Sequence, residues 1–284
     1  MNIRIITDSG CDMLPPYAPN LTVLPLTITF GEESFLDGVE LDHHRFYEKL
    51  IEGEELPTTS QIAPAAFEEA FQRAVDAGEA VVCVTLSSKL SGTYQSARIA
   101  AEGFAGQVWV VDSENVTIGQ RLLVERAVEL AGQGLDAAQL SARLDQEKKD
   151  IRLVALLDTL EYLKRGGRIS PSIAMVGGLL SIKPVVAVEN GEVVLLGKAR
   201  GSKNGNNLLI QLIQKTSGVD FGRPYRLGYT GLDDGLLQKY IADSVQLWQD
   251  HVEELPVSTV GGAIGTHVGP GAVAVAFFRN SVGE

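Results

Sequence analysis

The sequence is poor in cysteine and lacks a long apolar run, and both absences restrict the class of protein. Two of the 284 residues are cysteines, Cys11 and Cys83, and they form no Cys-x-x-Cys pair. A disulfide framework or a thiolate zinc site is therefore not expected. No apolar stretch reaches the roughly 20 residues of a membrane-spanning helix. The N-terminus is typical of a strand and not of a signal peptide, so we expect a soluble, cytosolic protein.

Positive charge is also scarce. The chain has 24 Lys and Arg against 36 Asp and Glu, which gives a net charge of −12. Because an acidic surface repels nucleic acid and anionic lipid, we expect neither nucleic-acid binding nor stable membrane insertion. Lys198, Arg200 and Lys203 stand out as a basic cluster against this background. The cluster is either a contact for a phosphate or an acidic partner, or the solvated end of a strand.

The loops that mark two enzyme classes are missing. No Gly-x-x-x-x-Gly-Lys-Ser/Thr loop is present, so a phosphotransferase that acts alone is not expected. The Gly-x-Ser-x-Gly elbow of α/β-hydrolases is absent as well. An acyl hydrolase with Ser91 as nucleophile and His267 as base is the alternative function, since the serine precedes the histidine as in those enzymes. Asp8 and Asp12 match no metal-ligand spacing and predict a capped turn.

The sequence does contain an alternation of short apolar strands and helices. In the first half, helical segments alternate with buried-strand patterns at residues 4–7, 80–85 and 108–111. This alternation is typical of a mostly parallel sheet. A further strand pattern at residues 151–156 predicts a second unit. We therefore divide the chain into an N-terminal domain, residues 1–150, and a C-terminal domain, residues 151–284.

Hydroxyl side chains cluster at two places where a helix is predicted to begin. One cluster, in residues 86–97, follows a buried strand, and the other, in residues 57–61, precedes a helix with Pro64 in its first turn. Unpaired N–H groups and the helix dipole at such a place favour an anion, a carboxylate or a phosphate. The alternative is that Ser91 only caps its helix.

Three histidines need an interpretation. His267 lies in the glycine-rich residues 261–272, which we interpret as a loop before a closing strand. Glycines let a backbone approach a ligand closely, and a histidine there can donate to a carboxylate or a phosphate. His43 and His44 are neighbours on a predicted helix and point in different directions. We expect both of these side chains to be solvated and not to bind a metal.

Five motifs, in the same order and across nearly the whole chain, resemble the DegV family. They are Thr7-Asp8-Ser9 with Asp12, and residues 57–61, 90–97, 166–170 and 267–272. The resemblance implies an α/β protein of two domains. The N-terminal domain has a mostly parallel sheet with helices, and the C-terminal domain is smaller and mixed α/β. It also implies a carrier for a long-chain fatty acid, which a separate fatty acid kinase converts to an acyl phosphate. No metal, cofactor or catalytic residue of its own is expected.

The resemblance also implies roles for particular residues. The fatty acid carboxylate is assigned to Thr59, Ser60, Ser91, Gly92, Thr93 and His267. Arg200 and Arg168 are assigned to contact with phosphate or with the partner kinase. The chemistry is consistent, because each buried methylene contributes about 0.8 kcal/mol and a buried carboxylate needs hydrogen bonds. The apolar residues 173–180 form either a wall of the fatty acid tunnel or an ordinary core helix.

Overall fold

The computed structural model describes residues 2–53, 55–170 and 182–280, which form three β-sheets with helices around them. The strands are β1 (Ile3–Asp8), β2 (Leu21–Leu24), β3 (Thr27–Phe30), β4 (Glu33–Leu36), β5 (Thr58–Ser60), β6 (Ala80–Thr85), β7 (Val108–Asp112), β8 (Ile151–Leu156), β9 (Ile182–Glu189), β10 (Glu192–Arg200), β11 (Tyr225–Tyr229), β12 (Val257–Thr259) and β13 (Val273–Phe278). The α-helices in these ranges are His43–Glu52, Pro64–Asp76, Thr93–Ala101, Thr117–Ala131, Ala137–Glu147, Glu161–Arg165, Ser202–Lys215, Gly235–Asp243 and Gly262–Val268. The apolar residues 173–180 lie outside the described part of the chain.

The first sheet has the order β2-β1-β6-β7, and all of its strand pairs are parallel. Every residue of β6 is buried, as its unbroken apolar run predicts. The carboxyl ends of these strands carry the loops that begin with Asp8 and Leu86. The parallel sheet predicted from the alternating pattern is confirmed.

A small antiparallel sheet, β4-β3-β5, contains the second hydroxyl cluster in its strand β5. Within this cluster, residues 57–61, the strand is Thr58–Ser60. Because successive side chains of a strand point to opposite faces, Thr59 faces away from its two neighbours.

The six-stranded sheet has the order β10-β9-β8-β13-β11-β12 and is mixed, with one parallel pair, β11 and β12. Asn190 and Gly191 form a tight hairpin between β9 and β10, with φ of 51° and 83°, as is typical of an Asn-Gly pair between two strands. All strands of this sheet follow residue 150. However, one apolar core joins Ile5 of β1, Leu122 of the helix Thr117–Ala131 and Ala274 of β13. The division into two domains stays a prediction.

No helix in the described part of the chain combines the length and the hydropathy needed to cross a lipid bilayer.

Asp8 fixes the start of the loop that carries the first hydroxyl cluster, residues 86–97. Its side chain is fully buried at the end of β1. One carboxylate oxygen accepts hydrogen bonds from the Gly10 N–H, at 3.0 Å, and from Gln120 Nε2, at 3.2 Å. The other accepts from the Leu86 N–H, at 2.8 Å. This last bond ties the start of the loop after β6 to the neighbouring strand.

Asp12 and Asp37 fix the start of the helix Gly262–Val268. Asp12 Oδ1 accepts from the Gly261 N–H at 2.8 Å, and Asp37 Oδ1 accepts from the Gly262 N–H at 3.1 Å. Carboxylates at a helix N-terminus satisfy N–H groups that have no partner within the helix. We call Asp8, Asp12 and Asp37 the buried acidic triad. Their role is structural, as the sequence predicted for Asp8 and Asp12, although Asp12 acts on a distant helix and not on its own turn.

Burial outweighs the hydrogen bonds in the electrostatics of the triad. Loss of water raises the pKa of Asp8 and of Asp37 to about 6, and it raises the pKa of Asp12 well above its usual range. A carboxyl group with a raised pKa binds its proton more tightly in the folded protein than in the unfolded chain. Its contribution to stability is therefore present at low pH and is lost as the pH rises to about 6.

We expect the substitution Asp37→Asn to reduce this pH dependence. Between pH 4 and pH 6, the free energy of unfolding of the variant should fall less than that of the wild type, by about 3 kcal/mol at most for a shift of two pKa units. Urea unfolding at pH 4, 5, 6 and 7 measures it. Asp250→Asn, at an exposed position, should follow the wild-type curve. Equal slopes for Asp37→Asn and the wild type would contradict the assignment.

Candidate functional site

A cavity of about 360 Å³ lies between the two hydroxyl clusters, the helix Gly262–Val268 and the six-stranded sheet. Its polar lining consists of Thr59, Ser60, Gln61, Ser91, Gly92, Arg168 and His267. Its apolar lining consists of Leu26, Leu86, Leu90, Val116, Leu163, Val193, Ala263, Ile264 and Val268. We call this space the polar cavity. It brings together side chains that are more than 200 residues apart in the sequence.

Thr59 and His267 form the central polar pair of the cavity. Thr59 Oγ1 lies 2.8 Å from His267 Nε2, and both residues are half-buried. His267 is in the last turn of the helix Gly262–Val268, so our interpretation of its surroundings as a loop was wrong. Gly262 and Gly265 are needed for packing and not for a turn. A Cβ atom on either would approach Phe46 to within 3 Å.

His267 is a neutral side chain at pH 7. Burial, together with the nearby Arg168 charge, lowers its pKa to about 4. Its Nδ1 is buried without a hydrogen-bond partner among the described residues and lies against the backbone of Gly166, where a Cβ atom would collide with it. A proton on Nδ1 would be an unpaired buried donor, so we assign the proton to Nε2. His267 then donates to Thr59, and the Thr59 O–H can donate to a ligand in the cavity.

Ser91 lies at the other side of the polar cavity, just before the helix Thr93–Ala101. Its Oγ accepts from the Thr93 N–H at 3.2 Å and lies 3.0 Å from Thr93 Oγ1. Ser91 therefore supports the helix start, although the N-cap residue itself is Gly92. Thr93 is fully buried behind Ser91 and does not line the cavity. Ser91 and Thr93 therefore share one hydroxyl hydrogen bond, and only Ser91 of the two faces the cavity.

Gln61 links the two hydroxyl clusters. Its side-chain amide packs on Gly92 so closely that any side chain at position 92 would overlap it. Gln61 Nε2 also donates to Ser96 Oγ at 3.0 Å. A Cβ atom at position 92 would displace this amide. The amide connects the end of the strand Thr58–Ser60 to the helix Thr93–Ala101.

Arg168 brings a positive charge to the polar cavity. Its Nε donates to the Leu90 carbonyl at 3.1 Å, and its Nη1 donates to the Gly166 carbonyl. Both acceptors are neutral, so the guanidinium charge is not cancelled by these bonds. The two bonds also fix Arg168 beside Ser91 and His267.

A second cavity, entirely apolar, adjoins the first. Its free volume is about 60 Å³, and it lies on the face of the six-stranded sheet that is turned towards the helix Thr117–Ala131. We call this space the apolar cavity. Of the residues that the structure describes, five line both cavities: Val116, Leu163, Val193, Ile264 and Val268. The two spaces therefore share one wall, with hydroxyl groups at one end and alkyl groups at the other.

The structure collects most, but not all, of the residues singled out in the sequence. Thr59, Ser60, Ser91, Gly92, His267 and Arg168 line the polar cavity. Arg200 does not line it and lies exposed at the end of the outer strand β10. The sequence did not indicate the steric roles of Gln61 and Gly166, although both lie within the quoted motifs.

The geometry does not support the acyl hydrolase. No hydrogen bond joins Ser91 to His267 in the described structure, because His267 Nε2 is bonded to Thr59. Its Nδ1 faces Gly166 and has no carboxylate to orient it. A serine nucleophile needs an adjacent base that is held by a third group. The structure therefore gives no support to the alternative function.

The remaining histidines and carboxylates form no metal site in the described ranges. The expectation that His43 is solvated was wrong, because it is buried and its Nδ1 lies 2.8 Å from Thr259 Oγ1. His44 is exposed, as expected.

Comparison with known proteins identifies the family. A family profile described as uncharacterised protein, DegV family, matches residues 2–280. A DegV domain-containing protein of Deinococcus radiodurans is 35% identical over 97% of this chain and 98% of its own. A fatty-acid-binding DegV family protein of Thermus thermophilus has a TM-score of 0.87 and 32% identity, over 98% of this chain and 100% of that chain. The Streptococcus pneumoniae fatty acid kinase (Fak) B3 protein, loaded with linoleic acid, has a TM-score of 0.85 and 26% identity, over 99% and 100%. The chain belongs to the DegV family.

Proposed function

We propose that this protein binds one long-chain fatty acid, with its carboxylate in the polar cavity and its acyl chain in the apolar cavity. The observation that carries the proposal is the wall of five residues that the two cavities share. An amphipathic ligand with one polar end fits such a pair of spaces. The similarity to a Thermus protein described as fatty-acid-binding and to a pneumococcal protein that holds linoleic acid supports it.

The carboxylate is held by donors from separate elements. Thr59, oriented by neutral His267, donates one hydrogen bond, and Ser91 donates a second. The guanidinium of Arg168 supplies the opposite charge at the same end. Bonds of this kind compensate the carboxylate for the water that it loses, which a buried anion requires. Ser60 and Gly92 complete the lining, and Thr93 acts behind Ser91.

The acyl chain supplies most of the binding free energy. Each methylene buried against alkyl side chains contributes about 0.8 kcal/mol. A 16-carbon chain therefore contributes roughly 10 kcal/mol before the ordering of the ligand and the lining side chains is subtracted. Detachment from a membrane becomes favourable only if nearly the whole chain is buried.

We also propose that a separate kinase phosphorylates the bound acid, so that this protein is the binding subunit. The name of the pneumococcal relative supports the partnership. Arg200 suits contact with that partner, because it is exposed and lies away from the polar cavity. A cytosolic location is part of this proposal. It agrees with the two buried cysteines, which are both free thiols, as a reducing compartment favours.

Removal of the Thr59 hydroxyl should weaken fatty acid binding. We expect Thr59→Val to raise the Kd for palmitate about 10-fold to 100-fold, since a hydrogen bond to a charged group contributes about 1.5–3 kcal/mol. Thr59→Ser should keep most of the affinity. Calorimetric titration with palmitate measures both variants.

Thr58→Val is the matched control for this experiment. Thr58 lies on the same strand, is exposed and does not line the polar cavity. It should bind palmitate as the wild type does. An equal loss in Thr58→Val and Thr59→Val would contradict the assignment of the carboxylate to Thr59.

Substitution of Arg200 should separate binding from phosphorylation. We expect Arg200→Ala to bind palmitate with unchanged Kd but to lower the rate of acyl phosphate formation by a fatty acid kinase at least 10-fold. The reason is the loss of a charge that contacts the partner and not the ligand. Lys215→Ala removes an exposed cation from the end of the helix Ser202–Lys215 and is the control. Parallel losses of binding and phosphorylation would count against a docking role.

A further inference from the structure

Small residues form a transverse row on the sheet face that lines the apolar cavity. Ala155 of β8 is opposite Ala274 of β13, and Ala274 is opposite Gly228 of β11. On the other side of the row, Ala155 is opposite Val186 of β9. All four line the apolar cavity. The side chains become smaller from Val186 to Gly228, so the row forms a furrow that deepens towards β11.

The alternation along β13 shows that the furrow belongs to one face of the sheet. Ala274 and Ala276 pack in the core that includes the helix Thr117–Ala131, whereas Val273 and Val275 pack in the core on the opposite face. Side chains of a strand alternate between faces, so an alkyl chain that lies on the alanine face does not contact Val275.

The furrow has two defined ends. On β10, the residue opposite Val186 is Leu195. Val193, two residues along the same strand, lines both cavities and marks the end nearest the polar groups. At the other end, a Cβ atom on Gly228 would lie 3.3 Å from Ile118 and 3.5 Å from Val260. These two side chains pack over Gly228 and close the furrow there.

The sheet order gives the length between these ends. A path from β10 to β11 crosses β9, β8 and β13, which amounts to four interstrand spacings. At about 4.8 Å for each spacing, the path is ~19 Å long, the length of about 15 carbon–carbon bonds in an extended alkyl chain. The carboxylate and the first one or two methylenes occupy the polar cavity.

We infer that the furrow formed by Ala155, Ala274 and Gly228 measures the acyl chain and selects fatty acids of roughly 16 to 18 carbons. This inference rests on the proposed function. The free volume of the apolar cavity, about 60 Å³, is smaller than such a chain, so the lining leucine and valine side chains change rotamer as the chain enters. The small residues of the floor provide space that needs no such change.

A side chain that fills the furrow should shorten the preferred ligand by an amount set by its strand. Ala274→Leu blocks the path one spacing before Gly228, and we expect the preferred length to fall by about four carbons. Ala155→Leu blocks it two spacings before Gly228, and the fall should be about eight carbons. In both variants palmitate should lose at least 10-fold in affinity relative to the acid of the new preferred length. Competition among saturated acids of 8 to 20 carbons, read by native mass spectrometry, measures the shift.

Val275→Leu is the matched control, because it enlarges a side chain on the same strand but on the opposite face. It should lower the melting temperature slightly and leave the preferred length unchanged. If either alanine variant does not fold, Ala274→Val and Ala155→Val replace it, and the order of the two shifts remains the test.

The outcomes separate this inference from the proposed function. A wild-type protein that binds no acid of any length would overturn both. A wild-type protein that binds long acids, with the same preferred length in the folded Ala274 and Ala155 variants, would overturn the furrow and leave the carrier function standing. Equal losses at all lengths in folded variants would also overturn it. Shifts of unequal size, larger for Ala155→Leu, would establish it.

Discussion

The anchoring of two separate elements by the buried acidic triad is the interaction on which the site depends. Asp8 holds the loop that leads to Ser91, and Asp12 and Asp37 hold the start of the helix that ends with His267. Burial makes ionisation of these groups unfavourable, and it raises their pKa values. This cost of burial is offset because each carboxylate satisfies a buried N–H group that water cannot reach.

Close packing around three glycines also helps to position the residues of the polar cavity. Gly166 allows the His267 ring to lie against its backbone, and Gly92 allows Gln61 to lie across the start of the helix Thr93–Ala101. Gly265 allows the helix Gly262–Val268 to pack on Phe46. Each glycine removes a Cβ atom that would separate two functional elements. The hydroxyl groups, the histidine and Arg168 are thereby collected at one end of a cavity whose remainder is alkyl. This separation of polar and apolar surface is what suits the site to an amphipathic anion.

Local patterns predicted much of the fold and only part of the site. Three of the signals are local: the apolar run of β6, the Asn190-Gly191 hairpin and Pro64 at a helix start. Backbone preferences and strand burial depend on residues that are adjacent in the sequence. The glycines before His267 misled the prediction, since glycine for a turn and glycine for close helix packing look alike in a sequence. The steric role of Gly166 depends on a residue about 100 positions away, and no local pattern contains it.

The sequence by itself determined the fold class, the family motifs and the residue types of the polar end. It could do so because strand and helix periodicity and capping are short-range effects. Tertiary structure alone decided which hydroxyls face the cavity, which tautomer His267 adopts and that Thr93 stands behind Ser91. It also decided how Ala155, Ala274 and Gly228 align, because register across strands is set by pairing between segments far apart in the chain. The length of the apolar space is a property of that alignment.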